Sequence, residues 1–138
     1  MKVWIARLLV LAVFAVNMYC IIHFIFFPDN FLSAYELSGV PGRAALQGIG
    51  VAFLMWNATY PLVIIRPDKH RVLYIVVIAQ QIIGLAGETF ILLTLPGVHD
   101  VLASNILRFI AYDAGGLVLL VIGFFLSRKT AELKKEDC

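Results

Sequence analysis

The stretch GETFILLTLPGVHDVLASNILRFIAYD, residues 87–113, predicts two apolar helices joined by a tight turn centred near Val98. The apolar runs on either side extend over about residues 72–95 and 101–126. Each run exceeds the roughly 20 residues that cross a bilayer, so the stretch predicts a transmembrane hairpin. It also carries three ionisable residues inside its helices, Glu88, Arg108 and Asp113. Charges at membrane depth are costly, and they mark the hairpin as the place to look for a site.

Two more apolar segments precede the hairpin, over about residues 4–27 and 43–65. The chain of 138 residues is 62% hydrophobic and 14% charged, and its mean hydropathy is +0.93. Soluble domains are closer to half apolar and a quarter charged, so the composition argues against a soluble helix bundle. We therefore predict an all-α fold, an up-down bundle of four transmembrane helices over residues 1–127, followed by a charged tail over 128–138.

The positively charged residues predict the orientation of this bundle. Nine of the eleven lie at one end if all four segments span the membrane: Lys2, Arg7, Arg66, Lys69, Arg71, Arg128, Lys129, Lys134 and Lys135. The positive-inside rule then places both termini and the tail in the cytoplasm, and residues 28–42 outside. This predicts a multi-pass protein of the cytoplasmic membrane. The first segment lacks a small-x-small cleavage site, so we expect a retained helix and not a signal peptide.

The connector between the first two segments, residues 28–42, is the longest. Asp29 or Asn30 is predicted to cap a short helix that ends at Gly39. Its apolar side chains include Phe31, Leu32 and Tyr35. These favour a position in the membrane interface, and a lid over the bundle is the alternative.

Small residues predict where the helices touch, because close contact in lipid favours them. The second, third and fourth helices each carry two such glycines: Gly48 and Gly50, Gly84 and Gly87, and Gly115 and Gly116. This is a packing signal, and it says little about function.

Equal distance from the turn predicts a buried ion pair between Glu88 and Arg108. Each lies ten residues from Val98, roughly 12 Å in from the helix ends at 1.5 Å per residue. Helical spacing puts Glu88 on a polar stripe with Gln81 and Gly84, and Arg108 on a stripe with Asn105 and Tyr112. We expect the two stripes to face each other. Asp113 lies about 140° around the helix from Arg108, so it need not be its partner.

The candidate site comprises the polar residues that these stripes and their neighbours place within the bundle: His23, Gln47, Asn57, Gln81, Glu88, Asn105, Arg108, Tyr112 and Asp113. Asn17 and Gln80 lie at similar depth. Two interpretations stay open. The residues form a polar pocket that opens to the outer side, or they hold the helices together by hydrogen bonds.

Several kinds of chemistry lack a motif in this sequence. Cys20 and Cys138 form no CxxC, and His70 and His99 fall in turns, which leaves His23 without a second axial haem ligand. HExxH, GxSxG and the phosphate-binding loop do not occur. The net charge of +2 is too small to indicate nucleic acid. We expect no metal, no cofactor and no nucleic-acid partner.

Two segments carry a resemblance to a known family. They are PGRAALQGIGVAFLMWNATYPLVIIRPDKHR, residues 41–71, and QQIIGLAGETF, residues 80–90. In the first, Arg43 opens a glycine-containing helix that runs to Tyr60 and a basic turn. Over residues 3–127 the chain resembles the DoxX-like group of small four-helix membrane proteins, many of unknown function. The resemblance implies the four-helix architecture, and some members of the wider group are linked to quinone-associated oxidoreductase complexes. No catalytic motif carries over.

These observations favour a non-enzymatic membrane module, either an accessory subunit or a binder of a lipophilic small molecule such as a quinone or lipid. Its partners would be the bilayer, such a ligand or another membrane protein. One alternative is an enzyme acting on a lipid-like substrate, an isomerase or oxidoreductase-associated, with Glu88 and Asp113 as acid or base near His23. The other is a small proton-coupled transporter that uses Glu88. Access from both membrane faces would favour the transporter.

Overall fold

The computed structural model describes residues 2–136, and it describes side chains for residues 2–127. Its helices are α1 (Lys2–Phe26), α2 (Gly39–Asn57), α3 (Tyr60–Ile65), α4 (Arg71–Thr94) and α5 (Asp100–Glu136). Four segments are long and apolar enough to cross a membrane: Lys2–Phe26, Gly39–Ile65, Arg71–Thr94 and Asp100–Ser127. We call these spans 1 to 4. The predicted all-α bundle of four transmembrane helices is confirmed.

Large apolar side chains cover the outside of every span. Phe26, Met55, Val72 and Leu93 are each at least 70% exposed. Water would disfavour so much exposed apolar surface, whereas lipid accommodates it. The chain is therefore a multi-pass membrane protein. The backbone of α5 continues as a helix beyond span 4 to Glu136, and the side chains of the predicted charged tail lie outside the described residues.

The two ends of the bundle are packed differently. The terminal end holds the start of α1, the turn at residues 66–70 and Ser127; the connector end holds residues 27–38 and 95–99. One cluster of buried apolar residues lies toward the terminal half and comprises Val10, Val13, Tyr60, Val63, Tyr74, Val77 and Leu120. Ile21, Phe24, Leu46 and Ile106 are buried nearer the connector end. In the terminal half the Tyr74 ring reaches Gly123 so closely that a Cβ at this position would clash. Among the described residues, two cavities lie at mid-depth and a third lies at the connector end.

Span 2 is interrupted at Ala58 and Thr59, where one continuous helix over residues 43–65 was predicted. Pro61, the second residue of α3, has no N–H to donate to the carbonyl four residues before it, so the regular hydrogen-bond ladder stops. The Ala58 N–H instead bonds the Met55 carbonyl at 3.3 Å, a tighter turn. The side chain of Asn57 donates to the Phe53 carbonyl at 2.9 Å. Irregular backbone at this depth is tolerated where it lines a cavity.

The connector differs from its prediction. It contains two short 3-10 helices, Pro28–Asn30 and Ser33–Tyr35, and no capped helix ending at Gly39. Glu36 adopts a left-handed φ of 54°, which ends the second 3-10 helix, and Gly39, with a φ of 65°, begins α2. The Asp29 carboxylate pairs with Arg43 at 2.8 Å, and no side chain caps the first 3-10 helix.

The connector folds over spans 1 and 4 and also contacts the start of span 2. The Tyr35 ring packs against Phe24 of span 1 and Phe109 of span 4, with centroid separations of 5.7 and 6.2 Å. Phe31 also contacts Phe24 edge to face at 5.3 Å. The connector therefore covers one side of the connector end, and the gap between spans 2 and 3 lies on the other.

Candidate functional site

A set of hydrogen bonds at mid-depth joins side chains from all four spans, and we call it the polar seam. Asn17 donates from Nδ2 to Oδ1 of Asn57 at 3.0 Å. The hydroxyl of Tyr60 donates to Oε1 of Gln81 at 3.3 Å. Gln81 donates in turn from Nε2 to Oδ1 of Asp113 at 2.9 Å. Each amide thus finds a partner in a medium that offers no water, which is how polar groups bind transmembrane helices together.

Two glycines make room for the seam between spans 3 and 4. A Cβ on Gly84 would lie 3.0 Å from Oδ2 of Asp113, and a Cβ on Gly116 would lie 3.2 Å from Nε2 of Gln81. Gly50 similarly lets α2 approach Phe24 of span 1. One glycine of each predicted pair therefore lies at a close contact, whereas Gly48, Gly87 and Gly115 face open space. These contacts fix which face of α5 is turned toward span 3.

A cavity of about 300 Å³, which we call the cleft, lies between spans 2 and 3 and reaches the seam. The residues that line it are Asn17, Phe53, Trp56, Asn57, Tyr60, Gln80, Gln81, Ile83, Gly84, Gly87, Glu88, Ile91 and Asp113. The helices α2 and α4 barely touch, and the lining residues Ile83 and Ile91 are 65% and 51% exposed. The cleft therefore opens sideways, toward the surrounding lipid.

The cleft presents hydrogen-bond acceptors between apolar walls. Oε1 of Gln80 and Oε2 of Glu88 are buried and have no hydrogen-bond partner. Across from them, Phe53 and Trp56 of span 2 pack edge to face at 6.4 Å. Buried acceptors without partners are rare in proteins, because each loses its water and gains nothing in return. Such atoms in a cavity point to a missing donor.

A second cavity of about 550 Å³, which we call the groove, lies between spans 1 and 4 at the connector end. Its lining residues are Ala15, Val16, Tyr19, Cys20, Phe31, Asn105, Arg108, Phe109 and Tyr112. The predicted stripe of Asn105, Arg108 and Tyr112 does lie along one face of α5, but that face looks into the groove. The side chains described, residues 2–127, offer the Arg108 guanidinium neither an ion pair nor a hydrogen bond.

The predicted ion pair between Glu88 and Arg108 is wrong. Glu88 lines the cleft and Arg108 lines the groove, which lie on different sides of span 4. Within residues 2–127 the salt bridges are Arg43–Asp29 and His99–Glu36. The physical reason is the rotation of α5. Asp113 is the residue that meets Gln81, and Arg108, about 140° around the helix, is turned away from span 3.

A smaller cavity of about 250 Å³ lies between spans 1 and 4, on the far side of the seam from the cleft. Asn17, Gln81 and Asp113 line both cavities. Gly115 and Gly116 contribute to its wall. The seam is therefore a partition with a cavity on each side.

The structure sorts the predicted site residues into separate groups. Those that line the cleft are Asn57, Gln81, Glu88 and Asp113, and those that line the groove are Asn105, Arg108 and Tyr112. The remaining two bond to nearby backbone. Nδ1 of His23 donates to the Tyr19 carbonyl at 2.8 Å, and the exposed Gln47 donates to the Ile25 carbonyl at 3.0 Å.

Residues outside the predicted list also form the cleft. Asn17 and Gln80 were noted for their depth but not assigned to the site, and Tyr60, Phe53 and Trp56 were not considered. One signal was present in the sequence. Pro61 follows Asn57 by four residues inside an apolar run, and such interruptions often mark cavities in membrane proteins.

At the connector end, Glu36 ties the connector to the start of span 4. Its carboxylate bonds Nδ1 of His99, and its Oε1 accepts the Leu102 N–H at 3.3 Å. The hydrogen bond from His99 lowers the pKa of Glu36 below its ordinary value of 4.5, and the Leu102 amide adds to this effect. Glu36 thus satisfies an N–H in the first turn of α5.

No protein-family model, no curated protein and no solved structure matches this chain. The resemblance to the DoxX-like group consequently stays a prediction.

Proposed function

We propose that this chain is a non-enzymatic membrane module whose cleft binds a lipophilic small molecule with a hydrogen-bond-donating head group. One observation carries the proposal. Oε1 of Gln80 and Oε2 of Glu88 are buried without partners in a cavity that opens sideways toward lipid. Hydrogen-bond donors of a molecule that entered from the bilayer would satisfy these acceptors.

The walls of the cleft supply the remaining features of such a site. Its volume of about 300 Å³ falls at the lower end of small-molecule pockets, which hold roughly 300–1,000 Å³. The rings of Phe53 and Trp56, with Ile83 and Ile91, would contact an apolar body. The polar atoms of the seam lie at the deep end. An amphiphile could therefore place its head at the seam and its tail in the bilayer.

The acceptor character of the cleft narrows the class of ligand. Hydroxyl and amine groups donate hydrogen bonds, whereas the carbonyl oxygens of an oxidised quinone only accept them. Among quinone-like molecules the cleft therefore favours the quinol, which carries two O–H groups. Lipid alcohols and lipophilic amines fit the same requirement. A link to quinone-dependent complexes, which the DoxX-like resemblance implies, would be consistent with this preference.

A glycine substitution offers a direct test. Gly87 lines the cleft, and a Cβ there would meet nothing within 4 Å, so Gly87→Leu adds an apolar side chain at the cleft and should obstruct it. Gly48 of span 2 is also a helical glycine facing open space, and it belongs to none of the three cavities described above. Gly48→Leu is therefore the matched control.

The measurement is native mass spectrometry of protein extracted directly into nanodiscs, which retain the surrounding lipid. We expect a small lipophilic adduct on the wild-type chain and on Gly48→Leu, and its loss from Gly87→Leu. Glu88→Gln should weaken the adduct less than Gly87→Leu does, because one acceptor oxygen remains. A wild-type chain without an adduct, or equal adducts on both leucine variants, would contradict the proposal.

A proton-coupled transporter is the second candidate, and one observation favours it. The cleft and the smaller cavity meet at Asn17, Gln81 and Asp113, so rearrangement of three side chains would join them. Cysteines placed at Gly87 and Gly115, with Cys20 and Cys138 replaced by serine, separate the candidates. A transporter should admit an impermeant thiol reagent to one position from each membrane face. A binding module should react only with a membrane-soluble reagent.

A further inference from the structure

The groove between spans 1 and 4 has the opposite chemistry to the cleft. Arg108 supplies a permanent positive charge that no described side chain neutralises. Nδ2 of Asn105, one turn away, is a buried donor with no hydrogen-bond partner within 3.5 Å, although the Tyr35 hydroxyl lies nearby. Among the described residues, the groove lining includes neither Asp nor Glu. Two neighbouring donors, one charged, define a place for an anion.

The depth of Arg108 identifies where that anion would come from. Span 4 has 28 residues and is about 40 Å long, close to the 40–45 Å of a whole bilayer with its headgroups. The Arg108 Cα lies about 12 Å from the start of α5, and therefore about 7 Å inside the hydrocarbon boundary. From there the long side chain can reach the phosphate level, where arginine is stabilised.

The other lining residues suit the edge of a membrane. Tyr19 is 61% exposed, and Phe31 closes the wall of the groove nearest the connector. Aromatic residues of this kind gather at headgroup level. Below them Ala15 and Val16 leave an apolar channel in which an acyl chain could lie. A soluble anion would have no use for that channel.

We propose that the groove binds an anionic phospholipid from the surrounding leaflet, with its phosphate at Arg108 and Asn105. The acyl chain follows Ala15 and Val16 down span 1. This site is separate from the cleft, and the two proposals stand or fall independently. The bound lipid neutralises the charge of Arg108, which Glu88 was predicted to neutralise.

Lipid retention from nanodiscs that contain equal amounts of phosphatidylglycerol and phosphatidylcholine tests the proposal. Native mass spectrometry should show phosphatidylglycerol on the wild-type chain in about tenfold excess, in the range of one charge-assisted hydrogen bond. Arg108→Gln should abolish the preference, and Arg108→Lys should restore part of it. Arg43→Gln is the matched control, since Arg43 lies at the same end but pairs with Asp29. It should retain the preference.

A second variant keeps the test decisive if Arg108→Gln does not fold. Ala15→Leu narrows the groove without altering its charge, and Ala52→Leu makes the same change at an exposed alanine of span 2. Only the first should lose the lipid. Equal retention of both lipids by the wild-type chain, or thermal stabilisation by inorganic phosphate as large as that by phosphatidylglycerol, would overturn the proposal. A protein bound to the groove in place of the lipid would also overturn the proposal.

Discussion

The cleft and the groove lie on different sides of one small bundle and offer opposite hydrogen-bonding groups. The cleft offers acceptors, Oε1 of Gln80 and Oε2 of Glu88, whereas the groove offers donors, Nδ2 of Asn105 and the guanidinium of Arg108. Span 4 contributes Asp113 to the first and Arg108 to the second.

This difference teaches that equal depth in a hairpin does not make two opposite charges partners. The polar seam turns Asp113 toward span 3 and thereby holds Glu88 and Arg108 apart. Glu88 then lines the cleft with its Oε2 buried, and the exposed Arg108 lines the groove. A membrane protein that keeps opposite charges unneutralised in this way has two sites available for two different kinds of head group.

The seam is what keeps the two regions apart, so its loss should have the largest effect. Gln81→Leu leaves Asp113 and Tyr60 without their partner, and we expect a loss of about 1.5–3 kcal/mol of stability, the range for a hydrogen bond to a charged group. Gln80→Leu is the matched control. Its Oε1 has no partner to lose, so its stability should be unchanged or higher. Thermal unfolding of both variants in detergent measures the difference, and equal losses would show that the seam is dispensable.

The orientation of α5 that separates cleft from groove depends on close approach at Gly84. A methyl group there would press against Oδ2 of Asp113, which Gln81 already holds in place. We expect Gly84→Ala to cost about 1 kcal/mol, because overpacking outweighs the better helix propensity of alanine. Gly87→Ala faces open space and should be neutral or slightly stabilising. The comparison is made by detergent-solubilised melting temperature, and a stabilised Gly84→Ala would mean that spans 3 and 4 can separate freely.

A double-mutant cycle tests directly whether the two regions are independent. Because Glu88 and Arg108 line different cavities, the losses from Glu88→Leu and Arg108→Leu should add, with a coupling energy below about 0.5 kcal/mol. Unfolding of the single and double variants in one detergent provides the cycle. If the double variant loses less stability than the two single losses added together, Glu88 and Arg108 interact. That result would contradict the separation of the cleft from the groove.

The smallest effect is expected at Glu36, which holds the connector over the groove side and leaves the cleft uncovered. The folded-state pKa of Glu36 is lowered, so its contacts are fully present above the ordinary value of 4.5 and are lost as the pH falls through the lowered value. At about pH 6, Glu36→Gln should weaken the protection of the Leu102 amide from hydrogen exchange. In this variant the remaining protection should no longer decrease as the pH falls. Asp29→Asn should leave Leu102 unchanged. Acid-insensitive protection in the wild-type chain would exclude this role.

The four-span fold could be predicted from the sequence because it depends on the length of each apolar run, and length is independent of partners. The stripes were predictable for the same reason. Glu88 does lie with Gln81 and Gly84, and Arg108 with Asn105 and Tyr112. The helical period alone sets those faces.

The way the stripes meet could not be predicted, because it depends on the rotation of each helix against its neighbours. That rotation follows from contacts between distant residues, such as Gly84 with Asp113 and Gly116 with Gln81. Asn17 and Asn57 illustrate the same limit, since forty residues separate two amides that bond each other. The prediction of a capped helix in the connector failed for a local reason. Glu36 adopts a left-handed conformation, in which glycine is usually preferred.

The sideways opening of the cleft affects how the apparent affinity of any ligand must be interpreted. A molecule that reaches the seam through the gap between α2 and α4 leaves the water first and approaches within the plane of the bilayer. Its available concentration is then set by its partition coefficient, so an apparent affinity referred to water combines partitioning with binding. Dilution into detergent micelles removes that enrichment. A ligand of modest intrinsic affinity would therefore occupy the protein in a cell and leave it on purification, unless the surrounding lipid is retained.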